Sequence, residues 1–169
     1  MDRLTAALGR GVEVVFVAPR TENREMIEGR QDPKNAVFFE TLAALGSHDN
    51  FTLAGIAQSL PGGGHQDIYV HSKIALVDDV WGTIGSANVA NRSFYGDTEL
   101  NATFWHRGTV TALRRELLLE HLALDTAEHD DVEALRLFAR IARENAARYA
   151  RGEKLAGLAF AIDPATYAS

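Results

Sequence analysis

Five polar residues stand at fixed spacings in the segment YVHSKIALVDDVWGTIGSANVANRSF: His71, Lys73, Asp78, Ser86 and Asn88. A neutral imidazole such as His71 can attack phosphorus and form a covalent phosphohistidine. The Lys73 ammonium can neutralise charge on non-bridging oxygens, while the Ser86 hydroxyl and Asn88 amide can donate hydrogen bonds to them. These residue types suit the cleavage of a phosphodiester, and this chemistry requires no metal ion.

The segment predicts a β-hairpin that would hold these side chains together. Residues 69–77 and 80–87 are rich in β-branched and apolar side chains, and Asp78 and Asp79 between them are a polar turn signal. By parity Asp78 points to the face opposite Lys73. We therefore assign Asp78 a structural role at the turn, such as an Asx-type hydrogen bond.

The length of the turn decides which face carries the polar groups. A loop of two or four residues sets Lys73 opposite Ile84 and His71 opposite Ser86. The polar side chains of both strands then point to one face, because side chains alternate along a strand. A three-residue loop would shift the register by one and send Ser86 and Asn88 to the other face.

Two further polar residues follow the hairpin. A nucleophilic histidine works best when a carboxylate accepts from its other ring nitrogen, and Glu99, which opens the strand-like run TELNATFW, is our candidate. Residues 86–95 predict a short helical turn whose free N–H groups would favour phosphate. Arg92 in this turn either binds a phosphate oxygen or pairs with a carboxylate.

The hairpin closely resembles the HKD signature of the phospholipase D superfamily. That signature is a histidine, one residue, a lysine, four residues, an aspartate, six residues and then Gly-Ser-x-Asn; here it is HSKIALVD, DVWGTI and GSAN. Gly85 is thereby part of the motif. Further similarities are NRSF, DTEL and the run RRELLLEHLALD, which looks like the Glu-His-Leu helix of lipid-type members. The resemblance covers about residues 10–125.

The resemblance implies a fold and a set of roles. The fold is an α/β sandwich, a mixed β-sheet flanked by helices on both faces, and we expect the motif hairpin to contribute central strands. His71 would be the nucleophile or general acid, and Glu99 would orient it. Lys73, Ser86 and Asn88 would bind phosphate, whereas Asp78 and Gly85 would be structural. No cofactor or metal is implied.

Only one HKD motif is present in this sequence. The family mechanism uses two histidines, one that attacks and one that protonates the leaving alcohol. The other histidines lack the lysine and aspartate spacing: His48, His65, His106, His121 and His129. A second motif is therefore expected from a homodimer mate or from an N-terminal half. Because the chain opens on a helix end, a turn and a strand, we expect residues 1–169 to be a single domain from the C-terminal half of a two-motif protein.

Composition predicts one soluble or peripheral domain. The 169 residues are 46% hydrophobic, which suffices for one core. The apolar runs are too short to cross a bilayer, and the start lacks the pattern of a secretion signal. Cysteine is absent, which excludes disulfides but leaves the compartment open. A net charge of −6 counts against a nonspecific nuclease.

Before the motif, the pattern predicts a strand at residues 12–17, a loop at 19–33, a helix at 35–46 and a strand from residue 50. A glycine-rich turn at 61–64 is predicted to lead directly into the motif strand. After the motif, helices are predicted at 110–122 and 128–151. Arginines crowd one face of the last helix: Arg136, Arg140, Arg143 and Arg151. That face is either salt-bridged in solvent or touches anionic lipid headgroups.

The reaction implied by the resemblance is phosphodiester hydrolysis or phosphatidyl transfer on a phospholipid. Histidine attacks phosphorus, and the phosphatidyl group is then released to water or to an alcohol. The Glu-His-Leu helix favours lipid-type members. The alternatives are a homodimeric HKD endonuclease acting on nucleic acid, and a catalytically silent half that needs a partner domain.

Overall fold

The computed structural model describes residues 2–20 and 24–168, with only the backbone described for residues 24–26. In chain order the elements are α1 (Asp2–Gly9), β1 (Val14–Val17), α2 (Arg24–Gln31), a 3₁₀ turn (Pro33–Asn35), α3 (Ala36–Leu45), β2 (Phe51–Ser59), β3 (His65–Ile68), β4 (Lys73–Val77), β5 (Trp81–Gly85), α4 (Asn91–Tyr95), β6 (Asn101–Phe104), α5 (Arg107–Leu122), α6 (Asp131–Ala150) and β7 (Ala159–Ala161).

Strand β2 is the centre of a four-stranded mixed sheet. It pairs in parallel with β1 and antiparallel with β3 and β7. Residues 51–57 of this strand are buried without interruption. Such a run is typical of a strand that is covered on both faces, so the sequence FTLAGIA places this sheet in the interior.

Helices cover both faces of this sheet. On one face Phe51 and Leu53 pack with Leu8 of α1 and with leucines of α3. On the other face Ala54 and Ile56 pack with side chains of α5 and α6. The predicted α/β fold, with helices on both faces of a mixed sheet, is therefore confirmed.

The motif hairpin lies in a second sheet. Strands β4, β5 and β6 form a three-stranded antiparallel sheet that is separate from the four-stranded one. The prediction that the hairpin contributes central strands to a single sheet is therefore wrong. The reason is strand β3, which pairs with β2, after which residues 69–72 carry the chain out of that sheet without regular structure.

Two connecting segments also differ from the prediction. Helix α2 occupies part of the segment 19–33 that was predicted as a loop, and residues 21–23 lie outside the described residues. Its composition is strongly polar, but Glu, Arg and Gln are good helix formers. The glycine-rich turn at 61–64 leads into β3 rather than into the motif strand, because the polar sequence HQDI forms an edge partner of β2.

Polar contacts fix both the start and the arginine-rich face of helix α6. A capping box begins α6, in which the Glu133 N–H donates to Asp130 Oδ1 at 2.8 Å. The arginine-rich face of α6 is engaged: Arg136 bonds Glu13 at 2.7 Å, and Arg140 bonds Glu144 at 3.1 Å. These contacts agree with the salt-bridged alternative, and contact with lipid headgroups stays a prediction. No helix in the described ranges is long and apolar enough to span a bilayer.

Candidate active site

One end of the three-stranded sheet collects the predicted site residues. Because its strands are antiparallel, the start of β4, the end of β5 and the start of β6 meet at the same end. Lys73 begins β4 and His71 lies just before it, Ser86 follows β5, and Glu99 precedes β6. The turn at residues 78–80 lies at the opposite end of the sheet, so it connects β4 to β5 far from the site residues.

The register of the hairpin differs by one residue from the prediction. Lys73 pairs with Gly85. The predicted pairs of Lys73 with Ile84 and of His71 with Ser86 are therefore wrong. Strand pairing of β5 ends at Gly85, so alternation along the strand no longer determines where the Ser86 side chain points. Its position is determined by hydrogen bonds instead.

The turn explains the shift in register. Asp78 and Asp79 have φ angles of 52° and 51°, and the Val80 N–H donates to the Val77 carbonyl at 3.0 Å. Aspartate tolerates this left-handed region better than most residues. The next pair is Val77 with Trp81, so Val80 adds a third residue to the loop. The alternative of a three-residue loop is therefore the observed one.

Ser86 and Glu99 form the tightest polar contact of the site. The Ser86 hydroxyl donates to Glu99 Oε2 at 2.5 Å and accepts from the Leu100 N–H at 3.0 Å. Hydrogen bonds from Ser86 and then Ser93 hold the pKa of Glu99 below its ordinary value, and the charge of Lys73 acts in the same direction. Lys73, Ser86 and Glu99 therefore belong to one electrostatic cluster despite the shifted register.

Lys73 also contacts the backbone of the candidate nucleophile. Its Nζ donates to the His71 carbonyl at 2.6 Å, and the His71 imidazole is exposed and stacks with Tyr69 at 6.0 Å between ring centroids. The described hydrogen bonds of Glu99 go to hydroxyl groups rather than to His71. The role of Glu99 as the carboxylate that orients His71 stays a prediction.

The segment after Ser86 is less helical than predicted. Helix α4 begins only at Asn91, and the N–H groups of residues 86–88 before it are engaged within the protein. The Ala87 N–H donates to Asn101 Oδ1 at 3.2 Å, and the Asn88 N–H donates to Ser93 Oγ at 3.0 Å. The N–H groups of residues 86–88 are therefore not free, and the expectation that free N–H groups elsewhere in residues 86–95 face the site stays a prediction. The Asn88 side chain itself is exposed.

Arg92 lies on α4 and pairs with a carboxylate. Its Nη2 is 3.0 Å from Asp97 Oδ2, and both side chains are largely exposed. Of the two alternatives for Arg92, the described contact matches the ion pair. A role in binding phosphate stays a prediction, because an exposed pair of this kind is held weakly.

Ser93 and Asn101 are part of the site, although sequence reasoning missed them. Ser93 connects the Asn88 backbone to Glu99. Asn101 pairs with Gly85, and a Cβ at Gly85 would lie 2.2 Å from Asn101 Oδ1. Ser93 lies in the NRSF run, and Asn101 lies in the strand that follows Glu99. Both segments were recognised in the sequence, but neither residue was given a role of its own.

A buried ion pair anchors the turn of the hairpin to α5. Arg114 Nε and Nη2 donate to Asp79 Oδ1 and Oδ2 at 2.7 and 2.8 Å, and the two side chains are only 7% and 10% exposed. The hydrogen bond from Arg114 holds the pKa of Asp79 below its ordinary value. Asp78 is exposed and lies in the turn with positive φ. Its structural role, predicted from the sequence, stays a prediction.

The candidate site is an open surface rather than a cavity. His71, Ser86 and Asn88 are exposed, and hollows of about 200 and 190 Å³ lie elsewhere, beside Asp49 and Arg143. In residues 2–20 and 24–168 no group of three histidines or carboxylates is arranged to hold a metal ion. Chemically, the arrangement offers an exposed imidazole on the residue whose carbonyl accepts from Lys73, with a hydroxyl group and a carboxylate at the same end of the sheet.

Comparison with known proteins gives consistent matches. The family profile described as "Cardiolipin synthase, PLD-like domain" matches residues 1–120. Phospholipase D delta of Arabidopsis thaliana is 37% identical over 99 residues, which cover 48% of this chain and 11% of that protein. Phospholipase D zeta 1 of the same plant is 40% identical over 82 residues, covering 38% of this chain and 8% of the relative.

A yeast protein gives a similar match. Phospholipase D1 of Schizosaccharomyces pombe (strain 972 / ATCC 24843) is 36% identical over 76 residues, which cover 35% of this chain and 6% of that protein. The matched part therefore spans no more than 11% of the length of these three relatives.

Proposed function

The chain belongs to the family of cardiolipin synthase, PLD-like domains, and on this premise we propose that it carries half of an active site for phosphodiester cleavage in phospholipids. The reaction is hydrolysis or phosphatidyl transfer through a phosphohistidine. The observation that carries this proposal is the cluster of Lys73, Ser86 and Glu99 beside the exposed His71 at one end of the sheet.

The proposed first step is attack by His71 on phosphorus. A ring-nitrogen lone pair forms the P–N bond, the P–O bond to the headgroup alcohol breaks, and a second acid supplies the proton that the leaving alkoxide takes up. Water or an acceptor alcohol then attacks phosphorus and loses its proton to the same second group, while the P–N bond breaks and its electron pair returns to the imidazole. Lys73 neutralises charge on the non-bridging oxygens, and Ser86 and Asn88 donate hydrogen bonds to them.

Glu99 is proposed to orient His71 once substrate is bound. In the described structure its carboxylate accepts from Ser86 and Ser93. A phosphate oxygen that takes over the Ser86 hydroxyl would release one carboxylate oxygen toward the imidazole. The Ser86 hydroxyl can therefore bond to Glu99 before substrate is bound and to a phosphate oxygen afterwards. The contact between Ser86 and Glu99 thus supports both proposed roles.

The second acid is proposed to come from a partner, either a homodimer mate or an N-terminal half. Described contacts of other histidines support this. His65 bonds the Glu153 carbonyl at 2.8 Å, and His106 caps α5 by accepting from the Thr109 N–H. His121 lies in α5, where burial lowers its pKa. None of these three lies on the strand that Lys73 begins or in residues 69–72, which contain His71.

The test is turnover of three substrates by the purified chain, alone and with candidate partner halves. Phosphatidylcholine vesicles, DNA and a chromogenic phosphodiester are each assayed with wild type and His71→Ala, and native mass measurement gives the oligomeric state. Lipid turnover with a labelled phosphohistidine supports the proposal, and DNA turnover by a homodimer supports the nuclease alternative.

Other outcomes contradict the proposal. Comparable turnover by His71→Ala excludes the assigned nucleophile, and strong inhibition by EDTA contradicts the proposed metal-free mechanism. A chain that turns over none of the three substrates, either alone or with the partner halves, also contradicts the proposal.

A further inference from the structure

The ion pair between Arg114 and Asp79 joins the turn of the motif hairpin to helix α5. We propose that Arg114 is a positioning residue for the site, which acts through Asp79 on the placement of His71 and Lys73. This inference rests on the proposed function, but it concerns a residue outside the HKD signature and at the far end of the hairpin. Three features of the described structure support it.

The first feature is the location of His71 at a junction between two sheets. Strand β3 ends at Ile68 in the four-stranded sheet, and β4 begins at Lys73 in the three-stranded sheet. Among the described strands the two sheets share no member. Strand pairing therefore does not fix the orientation of one sheet relative to the other. The chain enters the hairpin sheet through residues 69–72, where His71 lies, and leaves it through residues 105–106, so a rotation of this sheet would change the placement of His71.

The second feature is that α5 is itself fixed to the protein interior. Leu118 and Leu122 of α5 pack with Phe138 and Ile56 in the core of the four-stranded sheet. Arg114 lies one turn before Leu118 on the same buried face of this helix. The ion pair is therefore a direct link from the packed core to the hairpin turn, and α5 also contacts β5.

The third feature is the geometry of the pair. Two parallel N–H···O bonds from a planar guanidinium define direction as well as distance, which a single ammonium cannot do. The remaining nitrogen, Arg114 Nη1, is buried and has no hydrogen-bond partner in the described structure. Asp79 accepts the two side-chain hydrogen bonds described for Arg114, whereas Asp130 and Asp131 act on it through charge, so the loss of Asp79 would leave a buried cation without a hydrogen-bonded partner.

A positioning role and a purely structural role predict different results for substitutions. Arg114→Lys keeps the charge but loses the two parallel bonds, so the fold persists while the orientation of the hairpin loosens. The double variant Asp79→Asn with Arg114→Met removes both charges, and asparagine tolerates the positive φ at position 79, so stability is retained while the directional ion pair is lost. Arg115→Met is the matched control, because Arg115 Nη2 donates to the Ala127 carbonyl rather than to the hairpin.

Orientation is measured by spin labels, which the sequence makes simple because it contains no cysteine. Ala75→Cys on β4 and Ala147→Cys on α6 are exposed positions, one in each part of the structure. The distance distribution between the two labels reports the orientation of the hairpin. Melting temperature and, in the active assembly, kcat and KM for the chromogenic phosphodiester are measured on the same variants without labels.

We expect Arg114→Lys and the double variant to broaden the distance distribution and to lower kcat roughly tenfold to a hundredfold, since misplacement of reacting groups by about 1 Å has effects of this size. KM should change little, and Arg115→Met should match wild type. The double variant should regain the melting temperature but not kcat.

A narrow distribution in Arg114→Lys, or full recovery of kcat in the double variant, would overturn the proposal. If wild type turns over no substrate, the proposed function fails, and the distance distribution alone still decides whether Arg114 positions the hairpin.

Discussion

The Ser86 hydroxyl donates a 2.5 Å hydrogen bond to Glu99 Oε2, and this contact is the first cause of the lowered pKa of Glu99. Ser86→Ala should therefore raise the pKa of Glu99 toward its ordinary value. Carboxyl carbon NMR titration of wild type and variant measures the shift. Ser47→Ala, at a serine that bonds the Ala44 carbonyl, is the control and should leave Glu99 unchanged.

The sign of the associated stability change follows from linkage. Because the folded-state pKa of Glu99 is depressed, its contribution is present above the ordinary pKa of a glutamate and is lost as pH falls through the lowered value. Ser86→Ala should reduce this acid sensitivity. A variant whose acid unfolding profile steepens would contradict the assignment.

Lys73→Ala should weaken transition-state stabilisation by about 3 kcal/mol, since it removes the cation proposed to face the non-bridging oxygens. The corresponding loss in kcat/KM is on the order of a hundredfold. Steady-state kinetics on the chromogenic phosphodiester measure it, with Lys154→Ala at an exposed lysine as the control. Equal kcat/KM in Lys73→Ala and wild type would exclude the proposed role.

Gly85→Ala should destabilise the three-stranded sheet by about 1–3 kcal/mol, a size typical of overpacking. The new Cβ would lie 2.2 Å from Asn101 Oδ1 and 2.4 Å from the Leu100 carbonyl, so β5 and β6 must separate. Urea unfolding gives the free energy. Gly62→Ala is the control, because a Cβ at Gly62 would have no other atom within 4 Å. An unchanged midpoint for Gly85→Ala would argue against this close approach.

Burial raises the pKa of Tyr149 to about 12, helped by its hydrogen bond to Asp67, and burial also raises the pKa of Tyr167 to about 12. An unfolded tyrosine ionises near pH 10, so stability should fall as pH rises from about 10 toward the folded pKa. Tyr149→Phe and Tyr167→Phe should each remove part of a late phase in the tyrosinate absorbance titration. Tyr95→Phe, at an exposed tyrosine, is the control.

The sequence was sufficient to identify the family, because residue types and spacing survive errors in local geometry. Lys73, Ser86 and Glu99 do cluster, as the motif predicted. The register was missed because a single additional residue, Val80, enters the turn, and the two-residue period of a strand turns one extra residue into a change of face.

Other features depend on tertiary contacts that a sequence pattern does not carry. Strand β3 has the polar sequence HQDI and becomes a strand by pairing with the buried β2. The ion pair of Arg114 with Asp79 joins residues far apart in the chain, so neither composition nor periodicity indicates it. Glu99 lies beside Ser86 at the candidate site, but its bonds to hydroxyl groups were not foreseen.

The family match ends at residue 120, yet the protein interior continues well past that point. Phe138 and Ala142 of α6 and Ala159 of β7 pack against Ala54 and Ile56 of β2. A recombinant fragment trimmed to the matched boundary would leave one side of the innermost strand facing water. The segment that the family profile matches therefore ends earlier in the chain than the folding unit does. Fragments for expression should include α6 and β7 as well as the matched residues.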